Sequence, residues 1–532
     1  MDEKRPTGVL TSANDADSGE GQVYMSKDEA HLASLGYKQE FYRHLGLFES
    51  WAATFSSMNF ISGIPVLFGW IMYTGGPTPA FANWTMVGGL STIVSLSMAE
   101  IAAAMPVAGG IYYWSYRLGG DEWDGLDMCR TRCPARLTNF LLGAIEIAYP
   151  DTTIVSQGWF AWLLTAIGMF FAMAPNIISQ RVLRLYFRFA TFIFFTLFLL
   201  FWIWFPVQTA MTGQFQSRAG VFNHFYNGIN GGETQQASDA YTWIIGILFG
   251  AWVFYGYDAS AHLAEETHDA SVVVAKGMWI STLTAWVLSV PTLIIILFCI
   301  QDFDGIISAT YSNNWAEYLV QTVGSKGAVA ILSILWIDST CAAASCFMSA
   351  QRVTFAISRD GVLPFSKYFR KLSKNKIPVN AAFLVCGLSI AITCAVIGSS
   401  VAFSAITATA TIATNFSYLI PIVARHTVGR KSFTPAQWNL GRYSLPLGIV
   451  AGIYILFLFV VLLLPQLYPV TATTLNYAPI CIGIVTIVSL VGWILPFGLG
   501  GRYWFKGPKK TIEMDESRQV VSKQQEEPIH LQ

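Results

Sequence analysis

The stretch "FSSMNFISGIPVLFGW" (Phe55–Trp70) lies in the first long apolar run of the chain. Its length and apolar character are typical of a helix that crosses a bilayer, yet its centre contains Asn59, Ser62, Gly63 and Pro65. Gly and Pro at membrane depth leave backbone groups unpaired, and lipid cannot satisfy those groups. The stretch therefore predicts a helix break that lines protein or a water-filled cavity. A proline kink that serves packing alone is the alternative.

The composition of the whole chain indicates a membrane protein. Of its 532 residues, 54% are hydrophobic and 12% are charged, and the mean hydropathy is +0.48. Soluble domains are roughly one quarter charged, so this chain is expected to have lipid around it. The formal net charge is zero, which gives no indication of a nucleic-acid partner.

The two ends of the chain differ from its middle. Residues 1–45 and 501–532 are polar and are predicted to be disordered tails on either side of a transmembrane domain at 46–500. The N-terminal tail is polar and acidic, so we do not predict a cleavable signal peptide.

Eleven apolar runs are long enough to cross about 30 Å of hydrocarbon as helices. They lie near residues 48–73, 80–105, 156–176, 187–210, 241–262, 277–300, 327–350, 379–398, 400–424, 444–465 and 476–499. A shorter run, Leu137–Tyr149, lies between the second and the third of them.

The loop charges predict that this shorter run crosses as well. Lys and Arg concentrate near 181–188, 352–376 and 425–442, and short basic loops favour the cytoplasmic side. If Leu137–Tyr149 is a span, all the basic loops lie on one side together with both termini, whereas without it the first two spans would disagree with the rest. We therefore predict about twelve spans, an atypically short third one, and both termini in the cytoplasm. A gene model that splices a polar piece over half of a helix would explain the shortness equally well.

A second interrupted helix is predicted in the sixth span. The sequence "GILFGAWVFYGYDASAHLAEETHDAS" (Gly246–Ser271) is apolar through Phe254 and then places Gly256, Asp258 and Ser260 at membrane depth. It is expected to continue as a helix through His262. Broken helices in corresponding positions of two halves indicate the binding site of a transporter, whereas two unrelated kinks are the alternative.

Four motifs resemble the amino acid–polyamine–organocation superfamily, most closely the fungal amino acid, GABA and choline permeases. The resemblance covers roughly residues 40–505. It lies in "AEIAAAMPVAGGIYYWSYRLGG" (Ala99–Gly120), "WVFYGYDASAHLAEET" (Trp252–Thr267), "SAQRVTFAISRDGVLPFSKYFRKL" (Ser349–Leu372) and "ISGIP" (Ile61–Pro65). Gln351 is inserted within the third motif, and Ile61 replaces a glycine of the fourth.

The resemblance implies an all-α integral membrane protein with a five-plus-five inverted-repeat transporter fold that works by alternating access. The first repeat is expected at about 46–210 and the second at about 240–425, with two added helices at 444–499. The family normally carries a full third helix where this chain has "GLDMCRTRCPAR" (Gly125–Arg136). This departure leaves open whether the polypeptide transports a substrate.

The predicted substrate site combines the two breaks. Backbone N–H groups of Ser62, Gly63 and Ile64 at a half-helix start would attract a carboxylate. By family position, three aromatic residues contact or cover the substrate: Trp252, Phe254 and Tyr255. Packing in the apolar core is the alternative for these rings.

Two intramembrane acids are candidates for proton coupling. A carboxylate inside the membrane is costly and by default functional, and Asp258 lies where the family often has an acid linked to the proton or to the substrate amine. Asp338, on the eighth span, could take a proton or neutralise an ammonium group. Hydrogen bonding to the helix break or to a nearby Ser or Thr is the alternative for both.

A cytoplasmic gate is predicted on the inner side of the sixth span. Glu265 and Glu266, with His262, are expected near the inner mouth, where they could pair with Arg352 or Arg359. A solvated inner face is the alternative.

The sequence excludes other classes of function. We find no phosphate-binding Gly-Lys-Ser/Thr loop, no His-Glu-x-x-His and no Gly-x-Ser-x-Gly, so neither an enzyme nor a nucleotide-driven pump is predicted, and no cofactor or metal is expected. We expect a proton-coupled secondary permease for an amino acid or a GABA-like substrate, in the plasma membrane or alternatively the vacuolar membrane. A choline or polyamine permease, or a nutrient sensor that does not transport, is the alternative.

Overall fold

A computed structural model describes residues 26–119, 135–231, 235–309, 311, 313–398, 400–496, 500–505 and 507–508. The disorder predicted for residues 1–25 and 509–532 lies outside the described residues. Most of the polar segment that precedes the predicted third span, residues 120–134, lies outside them as well.

The described chain is almost entirely helical. The helices before the second break are α1 (Lys27–Ser34), α2 (Leu47–Met58), α3 (Phe60–Tyr73), α4 (Pro77–Ala104), α5 (Ile111–Gly119), α6 (Ala135–Ala148), α7 (Gly158–Ile178), α8 (Gln180–Leu199), α9 (Phe205–Thr212), α10 (Arg218–Phe222), α11 (Asp239–Ile245) and α12 (Leu248–Ala251). A π-helical turn, Leu200–Trp204, joins α8 to α9.

The helices after the second break are α13 (Ala270–Phe298), α14 (Phe303–Ile307), α15 (Asn314–Arg359), α16 (Ser366–Phe369), α17 (Val379–Thr393), α18 (Ala395–Gly398), α19 (Ser400–His426), α20 (Ser444–Leu463), α21 (Ala478–Ile494) and α22 (Gly501–Trp504). Four 3₁₀ helices lie at Thr153–Ser156, Ala261–Glu266, Val428–Arg430 and Gly441–Tyr443. Two antiparallel strands of two residues each, β1 (Thr74–Gly75) and β2 (Tyr226–Asn227), pair with each other, and the all-α prediction is confirmed.

Nine helical segments of the described chain are long and apolar enough to cross a membrane, with α2–α3 counted as one and α8–α9 as one. Three shorter apolar helices accompany them at Thr138–Ala148, Asp239–Ala251 and Ala478–Ile494. The chain is therefore a multi-pass integral membrane protein. The five-plus-five repeat and the count of twelve spans remain predictions.

The predicted third span corresponds to α6, which has 14 residues. At about 1.5 Å per residue it rises only about two thirds of the hydrocarbon thickness. It packs against α15 and α7.

The largest difference from the sequence prediction is at the sixth span. The chain does not continue as an α-helix through His262; it is irregular from Trp252 to Ser260 and then forms the 3₁₀ helix Ala261–Glu266. Gly256 has φ 90°, a backbone conformation that glycine adopts without a steric penalty.

The prediction that residues 1–45 are a disordered tail is wrong for residues 26–45. This part, which we call the N-terminal strap, begins with α1 and packs four side chains into the protein: Leu32, Tyr37, Phe41 and Leu45 are at most 2% exposed. The burial of these apolar groups offsets the ordering entropy of the segment.

Candidate substrate site and its inner closure

The first break lies at Asn59, between α2 and α3. Asn59 has φ 36° and ψ 77°, the left-handed conformation that Asn tolerates better than most residues. Its side chain accepts a hydrogen bond from the Ser62 N–H at 3.4 Å and so caps α3. The prediction of a break within Ser62–Pro65 is therefore wrong by a few residues, because Pro65 is accommodated inside α3.

Because the break lies at Asn59, some of the N–H groups that were predicted to bind a substrate carboxylate already have a hydrogen-bond partner. The Ser62 and Gly63 N–H groups bind the side chain and the carbonyl oxygen of Asn59, respectively, and the latter distance is 3.0 Å. Phe60 and Ile61 occupy the first two positions of α3, where N–H groups have no partner within the helix. The start of α3, rather than the Ser62–Ile64 trio alone, carries the positive end of the helix dipole.

The two breaks contact each other directly. Ser57 Oγ donates to the Gly256 carbonyl oxygen at 3.0 Å, and the Ser260 N–H donates to Thr54 Oγ1 at 3.0 Å. Gly63 lies against Val253, such that a Cβ added to Gly63 would be 2.8 Å from a methyl carbon of Val253. The absence of a side chain at Gly63 therefore permits the close approach of α3 to the irregular segment.

The three predicted aromatic residues do not share one environment. Trp252 and Tyr255 line a cavity of about 650 Å³, and Trp252 also contacts Trp70 with 5.7 Å between ring centroids. Phe254 does not line this cavity and packs edge to face on Trp84 of α4, with 4.9 Å between ring centroids. The structure therefore places Phe254 in the core.

The cavity, which we call the outer cavity, lies between α3, α6, α7, the irregular segment and α19, and is capped by residues 466–477. The loop charges predict this face to be extracellular. Every residue that lines it in the described chain is uncharged, and hydroxyl and amide side chains face it beside the aromatic rings: Thr138, Asn139, Thr165, Thr393, Thr407, Thr411, Gln466, Thr473, Thr474 and Asn476. Such a wall can bind both apolar and polar parts of a small molecule.

Asp258 is not among the residues that line the cavity and is buried, at 1% exposure. Its Oδ1 accepts a hydrogen bond from the Tyr418 hydroxyl at 2.8 Å, and its Oδ2 lies 3.0 Å from His262 Nε2. The expectation that His262 faces the arginines of α15 is wrong, because one helical turn in this segment brings its ring back to Asp258.

Asp338 of α15 faces the first break. Its Oδ2 accepts a hydrogen bond from Asn59 Nδ2 at 2.7 Å. The Ser62 hydroxyl lies close to this carboxylate, and neither Asp338 Oδ1 nor Ser62 Oγ has a hydrogen-bond partner among the described residues. A buried oxygen with spare bonding capacity can take up a proton or a ligand donor.

The four predicted gate residues form two ion pairs. Glu266 Oε1 is 2.9 Å from Arg352 Nε, and Glu265 Oε2 is 3.1 Å from an Arg359 terminal nitrogen. All four side chains are at most 5% exposed. We call these two pairs the inner closure, since they lie at the end of the irregular segment remote from the outer cavity.

The N-terminal strap covers the inner closure. The Tyr37 ring lies 4.1 Å from the Arg359 guanidinium carbon, and burial raises the pKa of Tyr37 so that it stays neutral. The Gln39 amide donates to the Glu265 carbonyl oxygen at 2.8 Å, and Arg43 donates to the Thr267 carbonyl oxygen at 2.6 Å.

Three contributors to the site were not predicted from sequence. Asn59 could have been identified from the sequence, because it is a polar residue close to the Ser-Gly-Ile-Pro motif in an apolar run. Nothing in the sequence identifies Tyr418 as a site residue, because 160 residues separate it from Asp258 and a single Tyr in a membrane span is common. Ala108 acts through its backbone, donating to Glu265 Oε1 at 3.1 Å, and backbone groups leave no trace in sequence.

The site has the parts of a binding site for a small polar molecule, namely a helix start, buried carboxylates and aromatic walls. Within the residues that the structure describes, no group of three His, Cys, Asp or Glu side chains could hold a metal ion.

The sequence profile of the family described as amino acid permease matches residues 45–487. An amino-acid permease BAT1 homolog of Oryza sativa subsp. japonica is 30% identical, over 94% of this chain and 98% of its own length. The amino-acid permease BAT1 of Arabidopsis thaliana is 29% identical, over 92% of this chain and 97% of its own. The thiamine transporter thi9 of Schizosaccharomyces pombe is 27% identical, over 87% and 85%.

Proposed function

The chain belongs to the amino acid permease family, whose members are transporters and not enzymes, and from this premise we propose that it is a secondary permease for an amino acid or a GABA-like substrate. The observation that carries the proposal is the direct contact of two interrupted helices at Gly63 and Val253. This contact lies between an outer cavity and a closed inner side.

The proposed binding mode uses both breaks. The substrate carboxylate would lie at the start of α3, where N–H groups and the helix dipole favour an anion. The amine would face Asp258 and carbonyl groups of the irregular segment. The hydroxyl-rich, uncharged cavity wall supports a zwitterion as substrate, since such a molecule brings its own balanced charges.

Alternating access would then consist of opening the inner closure while the aromatic side of the site closes. The substrate can drive this change only through a higher affinity for one of the two states. Trp252 and Tyr255, on the cavity wall, are the proposed covering groups.

We propose that the coupling ion is a proton, held at Asp258 or Asp338. Both carboxylates are buried and 1% exposed, and protonation removes the penalty of burying their charge. The membrane proposed for this transport is the plasma membrane, with the vacuolar membrane as the alternative.

Cationic substrates are the second candidate. Choline, a polyamine or thiamine would bind Trp70, Trp252 and Tyr255 by cation–π contacts, and the thiamine transporter among the relatives favours including thiamine. Such cations carry no carboxylate for the start of α3. A nutrient sensor on the same scaffold is the third candidate, and it would bind substrate without moving it.

The test is uptake of labelled neutral amino acids, GABA, choline, putrescine and thiamine into proteoliposomes that contain the full chain, at two external pH values. We expect uptake of an amino acid or GABA that rises at the lower external pH and is lost in Asp258→Asn. Uptake of thiamine or choline alone would replace the amino acid proposal. Binding without uptake of any compound would establish the sensor.

A further inference from the structure

His262 is held in a fixed place between two acceptor groups. Its Nε2 lies 3.0 Å from Asp258 Oδ2, and its Nδ1 lies 3.0 Å from the Ala108 carbonyl oxygen. Gly110 closes the pocket around the ring, since a Cβ there would be 2.7 Å from His262 Cε1. The ring is 2% exposed, so its contacts are made away from bulk water.

These two contacts determine where hydrogens can be. A carbonyl oxygen only accepts, so Nδ1 must carry the hydrogen that it donates to Ala108. The contact between Nε2 and the carboxylate is then attractive only if one proton lies between them, either on Nε2 as an ion pair or on Oδ2 as a neutral pair. Without that proton, a nitrogen lone pair would face a carboxylate in a buried site, which is strongly unfavourable.

Tyr418 fixes the other side of the carboxylate from a different helix. Its hydroxyl, on α19, donates to Asp258 Oδ1, and its ring packs on Tyr257 with 4.7 Å between centroids. A hydrogen bond to the charged form of a carboxylate lowers its proton affinity. The proton affinity of the pair therefore depends on where α19 lies.

The other charged groups around the pair are already engaged. Glu265 and Glu266, farther along the segment, face Arg359 and Arg352 of α15. Glu100, on α4, is directed at Ser444 and at the Leu440 N–H. Tyr418 is an ionisable group that contacts Asp258 from a neighbouring element.

We infer that Asp258 and His262 together form the proton-binding site of the permease, with Tyr418 as a positioning residue. The pair takes one proton from the outer side and releases it to the inner side, and no bond other than those to the proton changes. Ala108 joins this site to the inner closure, because its carbonyl oxygen binds His262 while its N–H binds Glu265. The inference rests on the proposed proton-coupled function.

The test separates exchange of substrate from its accumulation. Purified full-length protein in proteoliposomes is assayed for exchange of labelled against unlabelled substrate, and for accumulation driven by a pH gradient. In His262→Gln, exchange is expected to persist while accumulation falls about tenfold or more relative to it. The matched control is His268→Gln, an exposed histidine six residues along, which should behave as wild type.

Tyr418→Phe gives a second, milder readout that does not depend on the fold tolerating a change at His262. Loss of its hydrogen bond favours protonation, so the pH midpoint of accumulation should move up by about 0.5–1 unit. An unchanged midpoint, or wild-type gradient-driven accumulation in His262→Gln, would overturn the inference while leaving the permease function intact. If the wild-type protein exchanges substrate but a pH gradient drives no accumulation, proton coupling is wrong. If the wild-type protein transports no substrate at all, the proposed permease function is wrong.

Discussion

The outer cavity and the inner closure lie on opposite sides of the same helix crossing, and they are built from different side chains. Aromatic rings and uncharged polar groups line the outer cavity. Two carboxylate–guanidinium pairs, at most 5% exposed, hold the inner side, and the N-terminal strap lies over them. One side is therefore open and neutral, whereas the other is closed and charged.

The difference indicates which side resists opening. Aromatic and hydroxyl groups can move apart with little electrostatic penalty, because water solvates the space they leave. A buried ion pair loses its Coulomb energy on separation, and it regains hydration only when water enters. The inner side is thus expected to open as one cooperative step, after the substrate has bound.

The largest effect is expected from breaking one ion pair. Arg359→Met leaves the Glu265 carboxylate buried without its partner charge, which typically costs about 3–5 kcal/mol. The melting temperature of the purified protein should fall strongly, and uptake should be lost. Arg188→Met is the control, because that side chain is 65% exposed and its contact to Glu49 is 3.8 Å.

Restoring neutrality sharpens this result. Glu265→Gln with Arg359→Met removes both charges, so most of the lost stability should return even though the closure is weakened. A double variant that is no more stable than Arg359→Met would contradict an electrostatic role for the pair.

The next prediction compares a cavity residue, Trp252, with a core residue, Phe254, two positions further along the chain. Phe254→Ala removes a ring packed on Trp84, and such core truncations cost about 3–5 kcal/mol in stability. Trp252→Ala removes a ring from the cavity wall, so it should raise the substrate KM with a smaller loss of melting temperature. Equal changes of KM and of melting temperature in the two variants would contradict the assignment of Trp252 to the cavity wall and of Phe254 to the core.

A smaller effect is expected at the crossing itself. Gly63→Ala introduces a methyl group 2.8 Å from a Val253 methyl carbon, and overpacking of this kind costs about 1–3 kcal/mol. Both the stability of the protein and its substrate uptake should therefore fall. Val253→Ala in the same protein should restore part of both, as measured by a double-mutant cycle; additive effects would contradict the contact.

The smallest effect is expected in the strap. Asp28 accepts hydrogen bonds from the N–H groups of Asp269 and Ala270 at 2.8 and 3.2 Å, which caps α13. Asp28→Asn should cost about 1 kcal/mol and increase hydrogen exchange in residues 26–45, with the outer cavity unaffected. Unchanged exchange in the strap would show that this cap does not hold it.

Sequence predicted the parts of the fold that follow from hydropathy. The apolar runs, the short span at Leu137–Tyr149 and two broken helices all have counterparts in the structure. The missed features depend on backbone conformation. Asn59 rather than Gly63 takes the left-handed conformation, and Trp252–Ser260 is irregular, because contacts between the two breaks replace the lost helical hydrogen bonds.

Sequence predicted some residues of the candidate site, but neither Asn59, Tyr418 and the Ala108 backbone nor the contacts among the members. Patterns of charge indicated the acids and the arginines, and the structure brings Glu265 to Arg359 and Glu266 to Arg352. Which direction a ring faces was not predictable, since Phe254 and Tyr255 are adjacent in sequence and face different surroundings. The ordered structure of the N-terminal strap was not predicted, because its four buried apolar residues are dispersed in a sequence of mostly polar composition.

The inner closure is expected to open when the permease carries its substrate. Spin labels at the exposed positions His268 and Lys367 report the separation of the Glu265–Glu266 segment from α16, the short helix that follows α15. We predict one short distance without substrate, and a second population at longer distance when the transported compound is added. An identical distance distribution with and without substrate, in protein that continues to take it up, would contradict the account.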